Sequence, residues 1–307
     1  MTFAELTWLW IPITIWAAFA QTVRNAAQRH LTPLLGTLGA TLVRFLYGLP
    51  FALLWLAFIH EIHGVDVPGF PPEFLLWTVG GGLSQIAGTA LLLQVMAERN
   101  FAAGVGWTKT EILQVAVFSF VLLREFPSPL ALAGIVMATL GVLLLSSTGG
   151  ERALSAIAKG WASRAALLGV TSGACFALST VAFRGSALSL GLASAPLAAA
   201  WALAAAQTSQ VIMLGGWLLL RDPDVVLRTL RAWRSSLLAG FMGAAASVGW
   251  FTAMAMQPVT HVRTLGLVEL LFSYAVSWRM FRERLGAAEQ VGLVLLILGL
   301  AAVLNAR

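Results

Sequence analysis

Long apolar stretches separated by short polar linkers make up most of this chain. A helix that crosses the hydrocarbon layer of a bilayer needs about 20 mainly apolar residues, and its backbone polar groups must be satisfied internally. The pattern therefore predicts an all-α integral membrane protein with ten transmembrane helices. The predicted spans are Leu6 to Val23, Leu34 to Ile59, Phe74 to Ala97, Phe101 to Leu123, Leu130 to Ser147, Ser163 to Phe183, Ala195 to Leu220, Leu237 to Met256, Val259 to Trp278 and Leu285 to Leu304.

The composition agrees with a membrane protein. Of the 307 residues, 59% are hydrophobic and 10% are charged, whereas a soluble domain averages about 25% charged residues. The net charge is +6, but the basic residues are scattered through short linkers, so no nucleic-acid-binding face is predicted. The single cysteine, Cys175, lies in an apolar stretch. Neither a disulfide, a metal site nor a cofactor is expected.

The two halves of the chain share a pattern at a fixed offset. Glu111 lies 158 residues before Glu269, and the same shift aligns Gly82 with Gly240, Met96 with Met254, Arg124-Glu125 with Arg282-Glu283, Gly134 with Gly292, and Gly141 with Gly299. This predicts two five-helix repeats, residues 1–147 and 163–307, joined by a linker at 148–162. Because five is odd, the second repeat enters the membrane from the opposite side. Inverted repeats around a central cavity are typical of secondary transporters.

Several of these repeated residues resemble a known family. The segment Leu267-Val-Glu-Leu-Leu-Phe, followed by Phe281-Arg-Glu-Arg-Leu285 and Gln290-Val-Gly-Leu, is similar to EamA-type, ten-helix members of the drug/metabolite transporter superfamily. The counterpart from Thr110-Glu-Ile-Leu through Leu123-Arg-Glu125, and Val43-Arg-Phe45, resemble the same pattern. One departure is that the family often has Pro after the helix Glu, where this chain has Ile112 and Leu270. The resemblance implies a substrate cavity between helices 1, 3, 4 and 6, 8, 9, and transport of small metabolites, often outward.

The basic residues are divided unevenly between the two sides of the predicted topology. One side carries thirteen, namely Arg24, Arg29, Arg99, Arg152, Lys159, Arg164, Arg221, Arg228, Arg231, Arg234, Arg279, Arg282 and Arg284. The other side carries Arg124, Arg184, Arg263 and Arg307. The positive-inside rule then predicts that both termini lie outside the cytoplasm, across a bacterial inner membrane. The family usually has both termini in the cytoplasm, so the charge bias and the resemblance differ here.

Ionisable side chains inside predicted spans are the main functional candidates, because burying a charge in the bilayer is costly. They are Lys109, Glu111, Glu269 and Arg44. An α-helix turns about 100° per residue, which predicts that Lys109 and Glu111 lie on different faces. In helix 9, Arg263 stands one turn before Leu267, the repeat partner of Lys109. Each half is therefore expected to have one basic and one acidic face.

Two assignments of these faces are open. In the preferred one, Lys109 and Arg263 face the cavity and bind an amino acid or another carboxylate, while Glu111 pairs structurally with Arg44. In the other, Glu111 and Glu269 bind an organic cation or a coupling proton. Arg44 and His261 are predicted to be structural or gating residues.

Uncharged candidates complete the predicted site. Gln85 and Gln114 can hydrogen-bond a ligand or join neighbouring helices. Trp16, Trp107 and Trp250 can form an aromatic wall, or serve in packing and interface anchoring. The segment His60-Glu61-Ile62-His63 lacks the His spacing of a metalloprotease helix and is predicted to be a solvated loop.

A carrier driven by a substrate or ion gradient is the leading functional prediction, because no nucleotide-binding motif is found. A membrane-embedded enzyme is a distant alternative, since no nucleophile, acid/base pair or metal cluster is evident near one interface. A channel is a third possibility, against which the lack of a filter-like segment argues. The expected partners are a small-molecule substrate, the lipid bilayer and coupling protons, with no nucleic acid. The protein is expected not to be an enzyme.

Overall fold

The computed structural model describes residues 8–64, 66–97, 107–145, 164–271 and 287–306. Within these ranges the chain is α-helical and contains no β-strand, as predicted. The α-helices are α1 Trp10–Leu46, α2 Leu49–His63, α3 Pro72–Ala97, α4 Glu111–Phe118, α5 Pro129–Leu145, α6 Arg164–Ser189, α7 Ala195–Gln210, α8 Gly216–Arg221, α9 Pro223–Arg231, α10 Trp233–Met256, α11 Val259–Leu265 and α12 Ala287–Asn305. The 148–162 linker, the Arg282-Glu283 pair and the predicted continuation of helix 9 to Trp278 lie outside the described residues.

Several helices are suited to a bilayer by length and composition. In the described ranges, five helical stretches are long and apolar enough to cross a membrane: Trp10–His63, Pro72–Met96, Ala166–Ser189, Ala195–Arg221 and Trp233–Met256. Shorter apolar stretches are Glu111–Leu123, Pro129–Leu145 and Gln290–Asn305. These features agree with an all-α membrane protein.

The first helix is longer than the hydrophobic pattern predicts. Helical structure continues from Trp10 to the bend at Gly36, whose φ of 71° and ψ of 171° interrupt α1. Such a positive φ favours glycine, which has no Cβ to clash. The predicted linker after Val23 is therefore wrong. Arg24 and Gln28, which the sequence placed in that linker, are buried side chains on the helix.

Predicted helix 4, Phe101 to Leu123, is interrupted near its charged residues. Lys109 and Thr110 form a turn, and α4 begins at Glu111. Gly173 of α6 allows a close approach here, because a Cβ at that position would lie 2.9 Å from the Thr108 carbonyl oxygen. A similar turn at residues 266–267 follows α11. The two charged segments therefore do not lie on uniform helices.

Three pairs of helices pack closely along their lengths: α1 with α10, α3 with α6, and α5 with α12. Glycine makes the α5–α12 approach possible. A Cβ on Gly134 would lie 2.8 Å from the Gly299 carbonyl oxygen, and one on Gly141 would lie 2.6 Å from that of Gly292. Backbone atoms at such distances leave no space for a side chain.

A short amphipathic helix, α9, was not predicted. Val225, Val226 and Thr229 are buried on one face, while Arg228 and Arg231 are exposed. The side chain of Asp222 caps the helix by accepting a hydrogen bond from the Val225 backbone N–H at 3.4 Å. The hydrophobic pattern does not reveal such a segment, because it is short and apolar on one face only, whereas a transmembrane span is apolar all round over about 20 residues.

Candidate functional site

A partly enclosed cavity of about 70 Å³ lies between α1, α3, α6, α10, α11 and the turn before α4. Its charged lining residues are Arg24, Arg44, Lys109, Glu111 and Arg263. Its apolar lining residues are Leu92, Met96, Phe176, Phe183, Phe251 and Met254. Apart from Arg24 and Arg44, these residues come from predicted helices 3, 4, 6, 8 and 9, and Gln21 of predicted helix 1 also lines the cavity. A wider groove of about 610 Å³ beside Gly36 is more open and has no buried charged residue on its wall.

Two ion pairs cross between the charged segments of the two halves. The ammonium group of Lys109 contacts a carboxylate oxygen of Glu269. In the opposite direction, the Arg263 guanidinium donates a hydrogen bond of 2.5 Å to Oε1 of Glu111. Both carboxylates are largely buried. Each basic group that the sequence assigned to an anionic substrate therefore already has an acidic partner.

The turn at residues 109–110 explains why Lys109 and Glu111 share the cavity. A uniform α-helix would separate the two side chains by about 200°. Because the backbone leaves the regular helix between them, both side chains line the same space. The prediction of separate basic and acidic faces is wrong for this reason.

An indole links the two ion pairs. The Arg263 guanidinium lies over the Trp250 ring, 4.6 Å from its centroid. Trp250 Nε1 donates a hydrogen bond of 3.1 Å to Gln21 Oε1, and Gln21 Nε2 donates one of 3.2 Å to Glu269 Oε2. Gly266 provides space for the indole, since a Cβ there would lie 2.5 Å from Trp250 Cη2. Trp250 thus belongs to the charged network.

The predicted pair between Glu111 and Arg44 is not formed. Glu111 accepts from Arg263, while Arg44 NH1 donates a hydrogen bond of 3.1 Å to the hydroxyl of Thr89. Arg24 donates from Nε and NH2 to the side-chain oxygen of Asn25, at 3.3 and 2.7 Å. The sequence did not identify Arg24 as a cavity residue because predicted helix 1 ended at Val23, just before it, whereas the helix continues to the bend at Gly36.

The two predicted glutamines behave differently. Gln85 lines the cavity, and its Oε1 accepts a hydrogen bond of 2.9 Å from Gln210 Nε2. Gln114 donates to the Val170 carbonyl oxygen at 3.4 Å and joins α4 to α6. Gln114 is not among the cavity-lining residues. The sequence offered no signal that separates these two roles.

Three other predicted residues lie away from the cavity wall. Trp16 is 49% exposed, and its ring lies 5.9 Å from that of Phe19. Trp107 is buried but does not line the cavity. The Nε2 atom of His261 lies 3.3 Å from the carbonyl oxygen of Ala306. These positions make Trp16 a surface residue and place His261 beside the chain's described end.

The segment of His60 and His63 is helical, which corrects the predicted loop. His63 Nε2 lies 2.7 Å from the Ser194 hydroxyl, and its Nδ1 lies 2.8 Å from the Ile59 carbonyl oxygen. In the described part of the chain, no group of three or more His, Cys, Asp or Glu side chains could hold a metal ion. His63 joins the end of α2 to the beginning of α7.

Comparison with known proteins gives a fold. One solved structure, described as "Crystal structure of protein", is similar to this chain. The alignment covers 97% of this chain and 97% of the other chain, with 18% sequence identity and a TM-score of 0.65. This likeness indicates a shared fold and says nothing about function. No family model matches the sequence, and no curated protein matches it.

Proposed function

We propose that this chain is a secondary transporter with ten transmembrane helices, arranged as two inverted five-helix repeats and related to the EamA-type drug/metabolite transporters. It moves small carboxylate-bearing solutes by alternating access, outward across a bacterial inner membrane. The observation that carries the proposal is the crossed pairing of Lys109 with Glu269 and of Arg263 with Glu111 beside a partly enclosed cavity. Charged groups in such a place are typical of substrate and ion pathways.

The glycine contacts support the inverted repeat. Shifting Gly134 and Gly299 by 158 residues, in opposite directions, gives Gly292 and Gly141. Both of these pairs are in contact. The helix pairs show the same exchange. In the proposed repeat, α6 corresponds to α1 and α3 corresponds to α10; α1 packs on α10, and α6 packs on α3. A two-fold arrangement of the halves produces this exchange of partners.

Substrate binding in the proposed mechanism exchanges partners within the ion pairs. A carboxylate that enters the cavity accepts hydrogen bonds from Lys109 or Arg263 and competes with Glu269 or Glu111. A charge-assisted hydrogen bond is worth about 1.5–3 kcal/mol. The exchange can therefore change the relative free energies of two states in which predicted helices 4 and 9 pack differently. Only such a difference in binding between the two states can drive the change.

The cavity's charge disfavours the alternative of an organic-cation or proton-coupled drug carrier. That alternative requires Glu111 and Glu269 to accept a cation, but a basic side chain already contacts each carboxylate. Arg24 and Arg44 add further positive charge to the same cavity. An incoming cation would meet repulsion from these two guanidinium groups.

The proposal is tested by solute exchange in proteoliposomes, with a mixed pool of labelled carboxylates, amino acids and organic cations. We expect saturable exchange of a carboxylate, and at least a tenfold loss of its rate in Lys109→Ala, because one charge-assisted contact is removed. The Gln114→Ala variant is the control from the same segment. Unchanged carboxylate exchange in Lys109→Ala, together with loss of exchange in Glu111→Gln, would contradict this assignment. Running the assay with and without a pH gradient tests coupling to protons.

A further inference from the structure

A second basic pair faces the cavity but takes no part in the crossed ion pairs. Arg24 and Arg44 lie on opposite sides of the bend at Gly36, and both line the cavity. Their aliphatic stems meet at Gly243 of α10, where a Cβ would lie 3.4 Å from Arg24 Cδ and 3.5 Å from Arg44 Cγ. Arg24 and Arg44 are 20 residues apart in sequence, but their side chains thus lie next to each other on the same side of the cavity.

Both side chains are buried without a charged partner among the described residues. Arg24 is 3% exposed and Arg44 is 4% exposed. Their hydrogen-bond acceptors are the amide oxygen of Asn25 and the hydroxyl of Thr89, both of which are neutral. Arg24 NH1 and Arg44 Nε are buried and have no hydrogen-bond partner within the described ranges. Burying a charge in this way is costly unless an anion compensates it.

In the described part of the chain, the charges around the cavity do not balance. The crossed pairs contain two basic and two acidic groups and are neutral together. Among the residues that the structure describes, no acidic side chain then compensates the positive charges of Arg24 and Arg44. Guanidinium groups are planar donors that match the geometry of carboxylate and phosphate oxygens. A ligand with two negative charges would restore neutrality.

We propose that Arg24 and Arg44 form an oxyanion subsite, and that the transported substrate is an organic dianion such as a dicarboxylate or a phosphate monoester. This inference rests on the proposed transport function. The apolar side chains of Leu92, Phe176 and Phe251 line the same cavity and provide a surface for the substrate's carbon skeleton. A neutral amino acid fits less well, because its ammonium group would enter a cavity with excess positive charge.

Competition assays in proteoliposomes test the substrate class. The probes are succinate, glycerol 3-phosphate, inorganic phosphate, butyrate and alanine, used at equal ionic strength. We expect saturable uptake of succinate or glycerol 3-phosphate, which distinguishes the two sources of a dianion. Inorganic phosphate lacks a carbon skeleton and is expected to compete weakly. Uptake of alanine or butyrate is expected to be at least tenfold less efficient.

Variants of the two arginines test the subsite itself. Arg24→Gln and Arg44→Gln each remove one charge, and each is expected to raise the half-saturating dianion concentration about ten- to hundredfold. Arg24→Lys keeps the charge and is expected to recover part of the loss. Arg29→Gln changes an exposed arginine on the same helix and is the matched control. The melting temperature of each purified variant, with and without the probe, separates lost binding from lost folding.

Different results would contradict different claims. Saturable alanine uptake that equals or exceeds dianion uptake overturns the dianion inference and leaves the transporter proposal intact. The same holds if Arg24→Gln and Arg44→Gln, both folded, take up dianions as wild type does. An Arg24→Lys variant that folds but binds no better than Arg24→Gln contradicts a role for charge. Absence of saturable uptake for every probe and for the wider solute pool contradicts the transporter itself.

Discussion

The ion pairs beside the cavity depend on both partners. Lys109 and Glu269 are mostly buried, with side-chain exposures of 19% and 10%. Each charge has lost much of its hydration, and the opposite charge replaces it. Removing or reversing one partner therefore leaves an uncompensated buried charge, whereas exchanging both keeps the pair. This asymmetry gives a direct test of the contact.

Reversal of one charge is expected to destabilise the protein, and reversal of both is expected to restore it in part. Lys109→Glu places two carboxylates together and should cost about 3–5 kcal/mol, the range found when a buried pair is broken. The double variant Lys109→Glu/Glu269→Lys should recover most of the lost thermal stability. Melting curves of the purified variants measure this coupling. If the double variant is as unstable as the sum of its single variants, the two side chains do not interact.

The candidate functional residues were only partly predictable from sequence. Lys109, Glu111, Arg263 and Glu269 were found because ionisable groups are rare inside apolar spans. Their pairing was predicted wrongly, because a helical wheel shows the faces of one helix and not which side chains of other helices meet them. Arg24 was missed for a related reason. The polar residues after Val23 resemble a linker, although burial against other helices keeps that segment helical.

At the scale of the helices, glycine decides which surfaces approach closely. Gly141 faces the backbone of α12, whereas Gly80 on α3 has no atom within 4 Å of its hypothetical Cβ. The sequence offers both as glycines in apolar helices and does not distinguish them. The neighbouring Gly81 does approach another helix closely, since its hypothetical Cβ would lie 2.8 Å from the Phe183 ring.

The two glycines therefore respond in opposite directions to the same substitution. Gly141→Ala puts a methyl group 2.6 Å from backbone atoms of Gly292 and Leu296. Overpacking of this kind costs about 1–3 kcal/mol. Gly80→Ala meets no neighbour and should be neutral or stabilise the helix by about 0.5–1 kcal/mol, because alanine restricts the unfolded chain. Thermal unfolding of the two variants in one detergent measures the difference. Equal effects would show that α5 and α12 do not pack through Gly141.

At the scale of the whole molecule, contacts between helix ends show which segments share a side. The Arg184 side chain donates a hydrogen bond of 2.6 Å to Glu125 and one of 2.8 Å to the Gln257 carbonyl oxygen. His63 contacts Ser194, and His261 contacts Ala306. The predicted topology places all these segments on the side that has few basic residues. The bend at Gly36 and the beginning of α9 line one groove, on the side that the topology makes basic.

Which of these sides faces the cytoplasm is a separate prediction, based on the charge bias. The exposed residues Arg228 on α9 and Asn305 at the end of α12 lie on opposite predicted sides. In a Cys175→Ala background, Asn305→Cys should react with a membrane-impermeant thiol reagent in intact cells. Arg228→Cys should react only after the membrane is made permeable, because basic segments are retained in the cytoplasm. The reverse labelling pattern would give the usual family orientation. Labelling of both cysteines in intact cells would instead contradict the placement of these two residues on opposite sides of the membrane.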